Sequence, residues 1–293
     1  MTMQVTIIIP AYNEEKSLSA LLTELNKLDG IGEIIVVDDG STDNTGKIAE
    51  DKGAKVIKHP YNKGNGASIK TGIRNAKGDI VVLMDADLQH NPQEIPNLLA
   101  NIPEYDMVVG ARINNPQGSF HRNLANWFYN KFASYLTKFV ILDLTSGFRA
   151  VRKDVVMKFL YLFPNGFSYP TTLTLALLRS GYSIKYVPIC ANKRVGKSKI
   201  SVLNDGFRFI LVILKIIVLF SPLRVFIPLS IVFSLAGIAY YAYTFFSRHQ
   251  FSVASVLFLI TGVLLFMLGL ISEQIAQLRM DRSEEIDLKE HKS

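Results

Sequence analysis

Ile80-Val81-Val82-Leu83-Met84-Asp85-Ala86-Asp87-Leu88-Gln89-His90-Asn91-Pro92 is the stretch that decides how this chain folds. Its first residues are uniformly apolar and rich in β-branched side chains. That pattern predicts a strand buried on both faces, as in parallel sheets covered by helices. The strand runs directly into two carboxylates separated by one residue. Side chains of an extended chain alternate in direction, so Asp85 and Asp87 lie on one side, just past the strand end. Carboxylates held this close repel each other, and a hard divalent cation carrying phosphate oxygens relieves that cost. A solvated turn with a capping acid would explain an isolated pair. Here the buried strand before the pair argues for a site, as does Asn91-Pro92 after it, which opens a helix because proline suits a first turn.

The same arrangement recurs upstream. Ile34-Ile35-Val36-Val37 leads into Asp38-Asp39-Gly40-Ser41-Thr42-Asp43, a buried strand ending in two acids and a turn able to cap the next helix. Carboxylates there can accept hydrogen bonds from ribose hydroxyls or a base N–H. After the first strand comes Pro10-Ala11-Tyr12-Asn13-Glu14, where Tyr12 offers a ring for a nucleobase and Glu14 an acceptor for ribose. A helix-entry loop would look similar. The strand candidates are Val5–Pro10, Glu33–Asp38, Ala54–His59, Asp79–Met84 and Met107–Gly110. Between the first two, Leu18, Leu21, Leu22, Leu25 and Leu28 mark one helix face. This alternation predicts an α/β domain with a mainly parallel, Rossmann-like sheet, whose ligands bind at the carboxyl ends of the strands. Two nucleotide motifs are excluded. Gly46-Lys47 is followed by Ile48, so the phosphate loop of P-loop enzymes fails, and Gly64-Asn65-Gly66 lacks the third glycine of a dinucleotide fingerprint.

The 293 residues are 49% hydrophobic and 19% charged, with a net charge of +7. Neither quantity is spread evenly. Val225–Ser272 holds no acid and a single base, Arg248, while Lys193, Arg194, Lys197, Lys199, Arg208, Lys215 and Arg224 crowd the segment before it. Basic residues flanking an apolar span mark a cytoplasmic flank beside anionic lipid, so the charge points to membrane and not to nucleic acid. Val225–Phe246 and Phe251–Ser272 each match the ~20 residues that cross a bilayer. The short link Ser247–Gln250 makes them a transmembrane hairpin. Phe207–Phe220 is apolar but carries Arg208 and Lys215 one heptad apart, with Ser201 a heptad earlier, which predicts a helix lying in the interface. Met1–Pro10 reads as a strand without a leader peptide. Cys190, the single cysteine, forms no internal disulfide and fits a reducing compartment.

Taken together, Pro10–Glu14, Val37–Asp43, Asn62-Lys63-Gly64-Asn65-Gly66, Asp85–Pro92, Ser146-Gly147-Phe148-Arg149 and Arg194-Val195-Gly196-Lys197-Ser198-Lys199 resemble family 2 glycosyltransferases of the GT-A fold. The resemblance is specifically to the polyprenyl-phosphate sugar transferases typified by dolichol-phosphate mannose synthase, and it spans roughly Val5 to Lys199. It implies that Pro10, Tyr12, Glu14, Asp38, Asp39 and Gly66 hold the nucleotide sugar. It further implies that Asp85, Ala86, Asp87 and Gln89 organise the diphosphate, with Asp85, Asp87 and Gln89 on a divalent metal (Mg2+ or Mn2+). Arg194, Ser198 and Lys199 would close over the donor phosphates. Arg112 and Arg122 resemble the basic pair that binds the lipid phosphate, and forked guanidinium donors suit that task. Asp87, Asp143 and Arg149 are the catalytic candidates. Asp143 is read as an orienter of the acceptor or of Arg149, and Arg149 as a further phosphate contact or an ion-pair partner of Asp143.

The expectation is an inverting, metal-dependent transfer from a UDP- or GDP-sugar to a polyprenyl (dolichyl or undecaprenyl) phosphate at the cytoplasmic membrane face. The alternative is a saccharide or protein acceptor, which needs a general base to deprotonate a hydroxyl. A processive polysaccharide synthase is disfavoured, because the only tryptophan, Trp127, is not in a Gln-x-x-Arg-Trp motif. The expected organisation is a catalytic domain over 1–200, an interfacial helix region over 201–223, a hairpin over 224–273 and a charged cytoplasmic tail over 274–293. The protein would be multi-pass with both termini cytoplasmic, and a homo-oligomer is left open.

Overall fold

A computed structural model describes residues 3–112, 120–166, 168–190, 211, 214–215, 218 and 221–290. The chain divides into two compact units, Met1–Ile213 and Leu214–Ser293.

The first unit is built on one seven-stranded sheet of order β3-β2-β1-β4-β6-β5-β7. The strands are β1 (Val5–Ala11), β2 (Ile31–Asp38), β3 (Lys55–Lys58), β4 (Ile80–Leu83), β5 (Met107–Ala111), β6 (Arg149–Arg152) and β7 (Ile184–Pro188). Each of the five strand candidates corresponds to an element here; β6 and β7 are additional. β6 alone runs antiparallel to its neighbours β4 and β5, while the remaining pairings are parallel. Two reversals restore direction, so β1, β2, β4 and β5 all end at the same edge. Cα pairing of Ala11 with Asp38, and of Ile8 with Leu83, keeps these strand ends level. β1 and β4 are buried throughout, as expected of central strands covered on both faces.

The helices are α1 (Glu15–Leu25), α2 (Thr45–Asp51), α3 (Asn65–Asn75), α4 (Ile95–Leu99), α5 (Phe120–Thr137), α6 (Lys153–Phe159) and α7 (Tyr169–Arg179). α1 buries Leu18, Leu21, Leu22 and Leu25 with Ile7, Ile9, Val36 and Val82 of the sheet and Ile95 and Leu98 of α4. Full burial of a leucine contributes roughly 1.5–3 kcal/mol. This cluster therefore ties β1, β2 and β4 to α1 and α4 beneath the loops that line the cavity.

In the second unit, α8 (Leu223–Arg248) and α9 (Val253–Glu290) are both long and apolar enough to cross a membrane. They pack as an antiparallel pair, with the Ser230 hydroxyl donating to the Gly262 carbonyl at 2.8 Å. A Cβ at Gly262 would strike Ser234 and the Ser230 carbonyl, so a residue without a side chain is what lets the two backbones approach. α9 continues past Ser272 to Glu290, so the charged segment after Glu273 extends the helix instead of leaving it. Most of the Phe207–Phe220 segment lies outside the described residues.

Candidate active site

The carboxyl edge of the sheet opens into a cavity of about 340 Å³, within the range of small-molecule sites. Pro10, Tyr12, Glu14, Asp39, Asp85, Ala86, Asp87, Gln89 and Arg112 all line it. They come from four different loops, brought together because β1, β2, β4 and β5 terminate at one level.

Asp38 and Asp39 separate at the end of β2. The Asp38 carboxylate turns away from the cavity and accepts from the Ser41 backbone N–H at 2.9 Å, closing the turn. Asp38 is absent from the cavity wall, which corrects its place in the donor set; adjacent residues on an extended chain face opposite ways. Asp39 is held rigidly. Its Oδ1 accepts from His59 Nδ1 at 2.6 Å and the Lys63 backbone N–H at 2.9 Å, while Oδ2 accepts from the Gly64 backbone N–H at 2.8 Å. His59 Nε2 in turn lies 3.0 Å from the Thr71 hydroxyl. Sequence reasoning missed His59, whose only trace was its position at the end of the Ala54–His59 run. Gly66 is also off the wall. It serves packing instead, since a Cβ there would collide with the Pro164 carbonyl.

Asp85 and Asp87 stay together, one partly and one fully buried. The Asp87 carboxylate accepts from the Gln89 N–H at 3.2 Å, across Leu88, whose φ of 60° is left-handed. That conformation is uncommon without glycine and marks a tightly determined turn. Asp85 lies against the backbone of Gly147, where a Cβ would come within 2.7 Å of its Oδ2. Among the described residues no three His, Cys, Asp or Glu side chains converge as a complete metal nest. Two carboxylates and an amide on one wall nevertheless fit Mg2+ or Mn2+, because such ions are commonly held by one or two carboxylates plus substrate phosphates.

Arg112, on the cavity wall, forms a partly buried ion pair that the sequence did not disclose. Arg112 Nε donates to Asp143 Oδ2 at 2.7 Å and Nη2 to Asp143 Oδ1 at 3.0 Å, while Nη2 also donates to the Thr145 hydroxyl at 2.9 Å. Burial works against both charges. For Asp143 it is outweighed by the hydrogen bonds and charge of Arg112, which hold the carboxyl below its usual range. For Arg112, Asp143 likewise overcomes burial, with help from Asp85 and Asp87, and raises the guanidinium.

Arg149 is therefore not the partner of Asp143, nor a phosphate contact. It is fully buried and off the cavity wall. Its Nη1 donates to the Pro170 carbonyl at 3.0 Å and the Thr174 hydroxyl at 3.1 Å, and its Nη2 to the Ser146 carbonyl. The guanidinium braces the start of α7 against the loop entering β6. His90, also missed, sits on the cavity wall stacked on Phe148 at 5.1 Å; burial, then the charge of Arg112, lowers its pKa to about 4. Tyr169 and Thr145 complete this side. Arg122 falls in α5, but its side chain lies outside the described residues, as do Arg194, Ser198 and Lys199.

A mainly parallel sheet whose carboxyl edge gathers one cavity, a D-x-D turn and an arginine has the arrangement of the GT-A class of sugar-transfer enzyme. Residues 6–160 match the family described as Glycosyl transferase family 2, and residues 221–278 match the GtrB C-terminal hairpin. The chain is 30% identical over 298 residues to an undecaprenyl-phosphate 4-deoxy-4-formamido-L-arabinose transferase of Proteus mirabilis, covering 95% of this chain and 90% of that one. It is 37% identical over 218 residues to a dolichol-phosphate mannosyltransferase of Pyrococcus furiosus, covering 68% of this chain and 59% of the relative. Among solved structures, glucosyl-3-phosphoglycerate synthase from Mycobacterium tuberculosis, in complex with Mn2+, uridine diphosphate and glucosyl-3-phosphoglycerate, superposes with a TM-score of 0.60. That match has 20% identity and covers 73% of this chain and 80% of the other, so it shows a shared fold. The chain belongs to glycosyltransferase family 2.

Proposed function

We propose that this glycosyltransferase moves a sugar from a UDP- or GDP-linked donor onto a polyprenyl phosphate, with inversion at the anomeric carbon, at the cytoplasmic face of the membrane. The observation that carries the proposal is one cavity shared by Asp39, the Asp85–Asp87 pair and Arg112. Asp39, fixed by His59 and two backbone N–H groups, accepts from the nucleoside. Pro10, Tyr12 and Glu14 shape the pocket around it. Asp85, Asp87 and Gln89 would hold a divalent cation, which would supply charge stabilisation for the departing diphosphate. Arg112 draws the acceptor phosphate into the same cavity, with Arg122 as the second acceptor cation and the Arg194–Lys199 segment over the donor.

The names borne by the Proteus and Pyrococcus relatives support a polyprenyl-phosphate acceptor. Mn2+ in the mycobacterial complex supports a divalent cation. Asp143 acts as a positioning residue: both its oxygens are committed to Arg112, so it is poorly placed to take a proton. A phosphate monoester is already anionic near neutral pH and needs no strong base, whereas a saccharide or protein hydroxyl would. Bringing two bound phosphates into line is chiefly a positioning task. The α8–α9 hairpin serves as the membrane anchor, with both termini cytoplasmic.

The test is purified protein with polyprenyl phosphate and a panel of nucleotide sugars, scored for glycolipid and for anomeric configuration. Glycolipid of inverted configuration is expected. Transfer to saccharide but never to lipid phosphate would overturn the acceptor, and undiminished, equally metal-dependent transfer by Asp87→Asn would overturn the cation site.

A further inference from the structure

Arg149, the first residue of β6, is among the largest side chains that the fold buries completely. A buried charge is costly unless a counter-charge lies beside it. Among the described residues no carboxylate lies within ion-pairing distance of this one. The guanidinium meets neutral groups instead: the carbonyls of Pro170 and Ser146, the Thr174 hydroxyl and, at 3.8 Å, the Met107 Sδ. Its Nε has no hydrogen-bond partner among the described residues. A brace alone does not call for a charge, since hydrocarbon of similar volume commonly replaces buried ionic groups without loss of stability.

The groups that Arg149 holds form the back of the cavity wall. Pro170 lines the cavity, and so does Gly147, next to Ser146. Gly147 in turn lies against the Asp85 carboxylate. Burial pushes the Arg149 pKa down, and the groups ranged around it, Asp143 and Asp85 among them, pull it back up; an arginine so placed keeps its charge. The wall itself is short of positive charge. Glu14, Asp39, Asp85 and Asp87 line it, against Arg112 as the one cation among the described residues. Arg112 is moreover already paired with Asp143. An anion entering such a cavity is repelled. We infer that Arg149 is a fixed counter-charge for the bound phosphates, acting across the Ser146–Gly147 and Pro170 backbone without touching a ligand. In these buried surroundings its field is screened less than that of a surface arginine. The same field opposes a cation at Asp85 and Asp87, so Arg149 sets the balance between metal and phosphate. It is a positioning residue, and its assignment rests on the reading of this cavity as a phosphate site.

The experiment compares the full chain in detergent micelles as wild type, Arg149→Met and Arg149→Lys. Two affinities are read without turnover: for UDP or GDP in EDTA, by calorimetry, and for Mn2+ alone, by electron paramagnetic resonance. Methionine keeps an apolar stem and removes the charge. Arg149→Met is expected to weaken the nucleotide about ten-fold and to tighten Mn2+ about ten-fold, the scale of one unit charge at an effective dielectric constant of about 20. The opposed signs are diagnostic, because a lost brace weakens both ligands. Arg149→Lys keeps a charge that burial can remove. Its nucleotide affinity, taken as a ratio to wild type, should be near one at pH ~5 and fall toward pH ~9, because a buried ammonium deprotonates where a guanidinium does not. That variant decides the matter if Arg149→Met does not fold. Parallel losses of both ligands or unchanged affinities in Arg149→Met overturn the inference, as does an Arg149→Lys affinity that is low at every pH. Wild type that binds neither UDP nor GDP overturns the donor site itself and this inference with it, whereas a failure confined to the variants leaves the donor site standing.

Discussion

Two pairs of aspartates stand at the ends of β2 and β4, on either side of β1, and behave oppositely. Asp38 and Asp39 are adjacent; one closes a turn and the other enters the cavity. Asp85 and Asp87 are separated by Ala86, and both line the cavity. A single intervening residue decides whether a carboxylate pair is divided between structure and chemistry or delivered whole to one ligand. Adjacent acids at a strand end therefore count as one functional candidate and one structural residue, whereas alternate acids count as two candidates for a shared cation.

The sharpest way to break this contrast is at Asp87. Asp87→Asn is expected to lower kcat by about a thousand-fold, the scale of losing a principal stabiliser of developing charge. Single-turnover transfer assays over a metal titration would check it, and a loss no larger than that of Asp38→Asn would erase the distinction between the pairs. Asp39→Asn comes next. It removes the acceptor clamped by His59, and should raise KM for the nucleotide sugar by about thirty-fold, equivalent to roughly 2 kcal/mol, with kcat little changed. Arg112→Ala should raise KM for the lipid phosphate by about ten-fold while leaving donor KM alone; initial-rate kinetics varying each substrate separates the two. Asp38→Asn is expected to keep transfer within about two-fold and to cost about 1 kcal/mol of stability, read from the denaturant midpoint, as for other lost turn and cap acceptors.

The smallest effect concerns pH. Arg112 depresses the Asp143 pKa, so the pair's stabilisation is complete above the unfolded carboxylate value of about 3.9 and is lost only as pH falls through the lower folded value. Between pH ~5 and ~8 the rate should show no titration attributable to Asp143. An inflection in that window that disappears in Asp143→Asn would show the carboxyl acting as a base.

Much of this was legible in the sequence because it is local. The central strands β1, β4 and β5 and the second half of β2 are apolar runs, carboxylates directly follow β2 and the β4 run, and nine of the assigned site residues line one cavity. What escaped was the part decided by distant pairing. The Arg112–Asp143 contact joins residues 31 apart, and nothing in either neighbourhood names the other. β6 is only four residues long with an arginine at each end, so it shows no apolar run. Arg149 looks like a phosphate ligand because its charge is visible in sequence, while the carbonyls that occupy it are not. His59 was hidden for the reverse reason: its role exists only through Asp39. The charged tail was set apart from the hairpin at Glu273, yet α9 runs on to Glu290, because mixed charges on a helix already nucleated by an apolar segment do not by themselves terminate it.

Gly147 sets a practical boundary for anyone who would redesign the enzyme. The loop leading from the Arg112–Asp143 wall touches the Asp85 carboxylate with nothing thicker than a Cα, and a single methyl group would already intrude. A library aimed at new sugars can vary the rim, but position 147 is a shim between two machined faces. Thicken it, and a change intended for one substrate is felt by the grip on the other.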